Sequence, residues 1–183
     1  MPKPVMICID QDRSLLEQLR TELRVAIGRD CGIVIANSGQ RALALIDDLL
    51  EEDNEIPLVL TDYHLPDLPG DELLRQIHHR LPSSYTILLS GSATLEAVAQ
   101  VMQVTNLFRY LAKPWQAENL QQAVSQALHC YLQEKRLTEE YLKLLQLNQD
   151  LERLNQALEQ RLADCTQELA AVRARFQDPE PLA

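Results

Sequence analysis

Four positions in this 183-residue chain share a local setting and carry side chains that can do chemistry. Asp10, with Gln11 and Asp12 behind it, closes the apolar run Val5-Met6-Ile7-Cys8-Ile9. Asp62 closes Leu58-Val59-Leu60-Thr61, Ser90 closes Ile87-Leu88-Leu89, and Lys113 closes Tyr110-Leu111-Ala112. A carboxylate in such a place is a nucleophile or a ligand for a hard cation. A hydroxyl can hydrogen-bond a bound phosphoryl group, and an ammonium can pair with the resulting anion. Each residue alone also has an ordinary reading: an aspartate closing a strand caps the next helix or forms a turn, and a lysine before proline sits on the surface. Their recurrence at one apolar run after another is the informative feature.

Helical patterns separate those runs. Leu15, Leu16, Leu19, Leu23 and Ile27 recur at helical spacing and end near Gly28. Ala42, Leu45, Ile46 and Leu49 mark a second helix, Leu73, Leu74 and Ile77 a third, and Leu95, Val98, Val101 and Met102 a fourth. Ile33-Val34-Ile35 adds another strand, and Tyr110-Leu111-Ala112 is the weakest. Continuous apolar strands alternating with helices predict an α/β fold, a doubly wound five-stranded parallel sheet covered on both faces. Such folds bind ligands outside the carboxyl ends of their strands, so Asp10, Asp62, Ser90 and Lys113 should converge in one pocket.

Composition narrows the function. Seventeen basic against 27 acidic residues give a net charge of −10, which argues against nucleic acid as a partner. No apolar stretch reaches the ~18 residues of a membrane span, and the apolar run at the N-terminus is too short for a signal-peptide core. The four cysteines lack CxxC spacing and fit reduced thiols in a cytoplasmic protein. The acidic stretch from Asp47 to Glu55 reads as a solvated helix end and loop. His78 and His79, being adjacent, share no helix face and read as surface.

Four stretches carry a resemblance: Ile7-Cys8-Ile9-Asp10-Gln11-Asp12; Leu58-Val59-Leu60-Thr61-Asp62-Tyr63-His64-Leu65-Pro66-Asp67-Leu68-Pro69-Gly70; Thr86-Ile87-Leu88-Leu89-Ser90-Gly91; and Phe108-Arg109-Tyr110-Leu111-Ala112-Lys113-Pro114-Trp115. In order and spacing, the part of the chain up to Pro114 resembles the receiver domain of bacterial two-component response regulators, the CheY-like fold. The resemblance implies that Asp62 accepts a phosphoryl group from a histidine kinase or phosphotransfer protein. It also implies Mg²⁺ held by Asp10, Asp62, the His64 backbone carbonyl and the position Gln11 occupies. Ser90 and Lys113 would contact phosphoryl oxygens, Gly91 would leave room for them, and Ser90 with Tyr110 would form the switch. His64 and Ser92 would tune dephosphorylation, and the Lys113-Pro114 peptide would be cis. Such a receiver catalyses only its own phosphotransfer and dephosphorylation.

One residue departs from the family pattern. Two adjacent acidic residues normally follow the first strand, and here the second is Gln11. Mg²⁺ prefers charged oxygen ligands, so its affinity should fall. Asp12, one residue on, compensates through water or caps the first helix.

The end of the chain changes character. All five glycines precede Ser92 and seven of nine prolines lie at or before Pro114, leaving Trp115 to Asp178 free of both. Leu120, Val124, Ala127, Leu128, Tyr131 and Leu132 form the inner face expected of a fifth helix. Beyond it, Leu144, Leu151, Leu158, Cys165 and Val172 recur every seven residues, with Leu147 and Leu154 three after the first two. That is a coiled-coil seam. The companion positions then move to Leu162, Leu169 and Phe176, four after a seam residue, which is a stutter. A parallel homodimer is the expected partner arrangement, with antiparallel pairing left open. A hairpin folding back lacks any Gly or Pro turn signal. No basic region precedes the leucines, unlike in a basic leucine zipper.

The expected organisation is a receiver over 1–133 with its fifth helix from about 115, a coiled coil over 134–177, and a flexible tail over 178–183. Three functions fit: a phosphorylation-switched dimeric module acting on an unknown output protein, a pseudo-receiver scaffold that is never phosphorylated, and the N-terminal input part of a larger histidine kinase or nucleotide cyclase.

Overall fold

The structure is a computed structural model that describes residues 4–27, 31–91 and 106–177. Five strands, β1 (Val5–Ile9), β2 (Gly32–Ala36), β3 (Leu58–Asp62), β4 (Tyr85–Ser90) and β5 (Leu107–Ala112), form one sheet in the order β2-β1-β3-β4-β5. Every neighbouring pair is parallel. Three helices, α1 (Arg13–Ile27), α2 (Gly39–Glu51) and α3 (Gly70–Arg80), and a C-terminal helix (Ala117–Gln177) complete the described elements. The helix expected around Leu95 to Met102 lies outside the described residues.

The central strands β1, β3 and β4 are buried on both faces, which is why they read as apolar runs, while the edge strands β2 and β5 are only partly covered. Met6, Cys8, Leu58, Leu60, Ile87 and Leu89 face α1 and the first turns of the C-terminal helix. Ile7, Ile9 and Val59 face α2 and α3. The period-two alternation of strand side chains divides β1 and β3 between the two cores. On the C-terminal helix the buried residues are Leu120, Ala123, Val124, Ala127 and Leu128. Leu132, expected inside, is half exposed, and Ala123 takes a place the pattern did not mark. Burial pushes the Cys8 thiol up to about 12, with Cys31 adding to the shift.

The chain divides into two compact units, Met1–Glu134 and Lys135–Ala183. At the end of the first, Tyr85 donates its hydroxyl to Glu134 at 2.5 Å, and its ring meets Phe108 edge-on. That hydrogen bond, with burial, raises the Tyr85 phenol to about 12. The second unit is helical through Gln177, with no hairpin turn. Leu137, Leu144, Leu147, Leu151, Leu154, Leu158, Leu162, Leu169 and Val172 are all exposed. No helix among the described residues is long and apolar enough to cross a membrane.

The loop after β3 is tied down at three points. His64 and Pro69 pair through their backbones. Gly70 opens α3 so close to Tyr63 that a Cβ would overlap the Tyr63 backbone, with its Cα and carbonyl carbon both at 2.9 Å. Asp67 reaches from the loop to the start of α2, where its two carboxylate oxygens accept from the Gly39 and Gln40 amides at 3.0 and 2.8 Å. The Ser38 hydroxyl accepts from Arg41 at 3.3 Å, so the three leading amides of α2, which have no partner in the helix, are all satisfied. Burial works to raise the Asp67 carboxyl, but the Gln40 and Gly39 amides and the Ser38 side chain bond its charged form and hold it below its ordinary value.

A depressed folded-state pKa means that Asp67 stabilises the fold fully above its unfolded value of about 4, and that the contribution fades as pH falls through the lower folded value. The carboxylate is exposed, so solvent screening keeps the effect modest. Asp67→Ala should cost about 1 kcal/mol at neutral pH. Urea denaturation should show the gap from wild type closing below about pH 4. A gap that persists unchanged in stronger acid would refute this role.

Candidate functional site

The strand order places the carboxyl ends of β1 and β3 side by side, at the point where the chain switches direction across the sheet. Asp10 stands one residue beyond β1 and Asp62 is the last residue of β3; both carboxylates are almost fully buried. Lys113, beyond β5, extends across to them. Its Nζ lies 2.6 Å from Asp10 Oδ2 and 2.9 Å from Asp62 Oδ2. Burial would lower the lysine's pKa, but its hydrogen bonds to Asp10 and Asp62 outweigh that and hold it above its ordinary value. Two buried carboxylates facing one ammonium leave one negative charge in excess, and a buried charge demands such partners.

The other oxygens are held by backbone. Asp10 Oδ1 accepts from the Asp12 amide at 2.9 Å, and Asp62 Oδ1 accepts from the Tyr63 amide at 2.7 Å. Lys113 is itself positioned by its amide, which donates to the Ser90 carbonyl at 3.0 Å, and the Lys113-Pro114 peptide is cis. Tyr110 donates its hydroxyl to that same Ser90 carbonyl at 3.1 Å, and its half-buried ring packs with Tyr63 and Leu107 against Leu74 and Leu88. Ser90 is fully buried at the end of β4. Among the described residues, a Cβ on Gly91 would meet only the Lys113 Cβ, at 3.9 Å.

Asp10, Asp62, Ser90 and Lys113 thus meet at one end of the sheet, linked by side chains or by backbone. Gln11 and His64 are exposed at its rim. Asp12 caps α1, its Oδ1 accepting from the Ser14 and Leu15 amides at 2.8 and 3.3 Å, so it belongs to the helix. Ser92 lies outside the described residues. His78, read from sequence as surface, is half-buried on α3 with its Nδ1 shielded from solvent. Asp67 was missed: its partners lie 27 and 28 residues away, and only its place in the Pro-Asp-Leu-Pro-Gly loop hinted at a turn role.

Among the described residues no cluster of three or more His, Cys, Asp or Glu side chains could hold a metal. Mg²⁺ commonly uses one or two carboxylates and completes its octahedron with water and phosphate oxygens, so the Asp10 and Asp62 pair fits that ion with few protein ligands. A groove of about 310 Å³, lined by Leu15, Gln18, Lys113, Pro114 and Trp115, borders the lysine.

Comparison with known proteins agrees with this geometry. The hydrogenase transcriptional regulatory protein HoxA of Cupriavidus necator is 27% identical over 124 residues, covering 68% of this chain and 24% of that protein. The chain therefore spans about a quarter of the length of the curated relatives it matches. The signal receiver domain of an HD domain-containing protein from Pseudomonas fluorescens superposes with a TM-score of 0.62 at 30% identity, covering 72% of this chain and 99% of that one. A CheY-like response regulator receiver domain protein from Methanospirillum hungatei gives 0.63 at 25% identity, covering 73% and 99%. The response regulator receiver domain matches residues 6–125, most of the chain, and the protein belongs to that family.

Proposed function

We propose that this chain is a phosphorylation-controlled response regulator whose acceptor is Asp62. The observation that carries the reading is the Lys113 ammonium bridging the buried carboxylates of Asp10 and Asp62. The donor is a histidine kinase or a phosphotransfer protein. An Asp62 oxygen attacks phosphorus in line and the bond from phosphorus to the donor nitrogen breaks. Its electron pair stays with the imidazole, leaving an acyl phosphate on the protein. Asp62 Oδ1 is oriented by the Tyr63 amide, which leaves Oδ2, now beside Lys113, as the oxygen aimed into the pocket. Lys113 then pairs with a phosphoryl oxygen and Ser90 hydrogen-bonds another. Mg²⁺ held by Asp10, Asp62 and the His64 carbonyl would offset charge on the two anionic reactants. In this reading the chain turns over no substrate beyond its own acyl phosphate, and His64 and Ser92 set how fast water removes it.

Transmission follows from the Ser90 carbonyl, which joins Tyr110 to Lys113. Movement of Ser90 toward the phosphoryl group changes what Tyr110 packs against, and with it the packing of β5 and the C-terminal helix. That helix carries the seam, and two copies coil in parallel to engage or carry an unknown output partner. The charge of −10 and the absence of a basic region before the leucines favour a protein over nucleic acid as that partner.

Gln11 favours a second reading, a scaffold that is never phosphorylated. Incubation with acetyl phosphate and Mg²⁺ followed by intact mass separates the two. We expect one phosphoryl adduct, absent in Asp62→Ala; no adduct at any Mg²⁺ concentration would establish the scaffold. In a Mg²⁺ titration, Gln11→Asp should bind about tenfold more tightly than wild type, because a charged ligand replaces an amide. Equal affinities would show that Gln11 does not weaken the site. Cys165 is exposed on the seam. Disulfide cross-linking through it should give different yields with and without acetyl phosphate, and equal yields would contradict transmission into the coil.

A further inference from the structure

The second unit presents a long apolar stripe with nothing on it. From Leu144 to Val172 the seam leucines and valine are between 49% and 71% exposed, far above what a folded chain leaves uncovered along one continuous line. The charges on the same helix fall into two groups. Lys135 with Glu139, Arg136 with Glu140 and Asp150 with Arg153 are paired three or four residues apart, at 3.9, 3.0 and 3.7 Å. Among those with no ion-pair partner in the described residues, alongside Lys143, Glu152, Glu159, Arg161, Asp164 and Arg175, are Glu168 and Arg173. They are five residues apart, about 140° around one helix, and so cannot meet each other within it.

Five is the spacing that joins two helices. Before the stutter Leu144, Leu151 and Leu158 take heptad position a, and Leu147 and Leu154 take d. After it Leu162 and Leu169 take a, and Cys165 and Val172 take d. In that second phase Glu168 is at g and Arg173 at e of the next heptad, the two positions that face each other across a parallel, in-register pair. We propose that the stripe is covered by a second copy of this chain, parallel and in register, and that reciprocal Glu168–Arg173 pairs select that register. The proposal rests on the parallel dimeric reading above and adds to it the register and the residues that enforce it.

The remaining charges agree. In register, Lys143 at g faces Asn148 and Asp150 at g faces Asn155, so no like charges meet. A slip of one heptad would bring Arg161 at g against Arg173 at e and would separate Glu168 from Arg173. Antiparallel pairing sets g against g and e against e, so neither contact would form. A one-heptad slip would also set Leu154 of one copy level with Arg161 of the other, so the stuttered seam and the charge pair disfavour the same slip.

Sedimentation of the full chain and three variants tests this, with circular dichroism to check helix content. Wild type should be dimeric at tens of micromolar. Glu168→Arg and Arg173→Glu should each weaken the dimer about tenfold, since two symmetric attractions become repulsions. An equimolar mixture of the two single variants should recover wild-type affinity as a heterodimer, and the double variant, Glu168→Arg with Arg173→Glu, should recover it as a homodimer. A dimeric wild type whose single variants dimerise equally well, or whose losses neither the mixture nor the double variant repairs, overturns the register while leaving the dimer intact. A monomeric wild type overturns both.

Discussion

The interaction on which the rest of the receiver unit turns is the contact of one lysine with two buried carboxylates. Asp10 and Asp62 are 1% and 6% exposed, so water cannot serve as their main partner and the protein must. Lys113 supplies the counter-charge, yet β5 is not a neighbour of β1 or β3. The lysine must reach across the end of β4, and its backbone is anchored there by the Ser90 carbonyl. The site therefore depends on the register of β3, β4 and β5 together, with Asp62 opposite Leu89 and Ser90 opposite Ala112. Removing Lys113 would strand two buried carboxylates without a counter-charge, which makes the lysine structural as well as chemical.

The pocket's net charge also bears on Gln11. With Asp10, Asp62 and Lys113 the described site carries one excess negative charge; an acid in place of Gln11 would make it two. An anion entering such a pocket is repelled less than in a relative with three acids, and a cation is attracted less. The substitution thus moves both reactants of the proposed chemistry in opposite directions, and sequence inspection, which weighs only the lost ligand, sees half of this.

Much of the sheet could be read in advance because a strand buried on both faces leaves an apolar run, as β1 does from Met6 to Ile9 and β3 from Leu58 to Leu60. Asp10, Asp62, Ser90 and Lys113 could be brought together from sequence because parallel topology sends successive carboxyl ends to one edge. What could not be read depends on contacts between distant segments. Asp67 looks like any loop aspartate until α2 is placed over it, and Gly70 like any helix-opening glycine until Tyr63 is seen against it. Leu132 fits the helical period as well as Leu128 does, yet Leu132 is half exposed and Leu128 buried. The heptads were legible for the opposite reason: a seam is a purely local pattern that needs no distant contact to be seen.

The C-terminal helix solves two burial problems with one stretch of backbone. From Leu120 to Leu128 its apolar residues sit at spacings of three and four, the period of a straight helix laid on a sheet. From Leu144 the period becomes seven, that of a helix coiling about another. Between the two, Leu132 and Leu137 are exposed, and the Tyr85 hydroxyl holds Glu134 at the last residue of the receiver unit. A polar contact is suited to that place because it fixes the helix by direction as well as by distance, whereas apolar packing would allow it to slide. The bond ties β4 to the helix beyond its last buried leucine, so the receiver unit holds this helix from Leu120 to its own final residue.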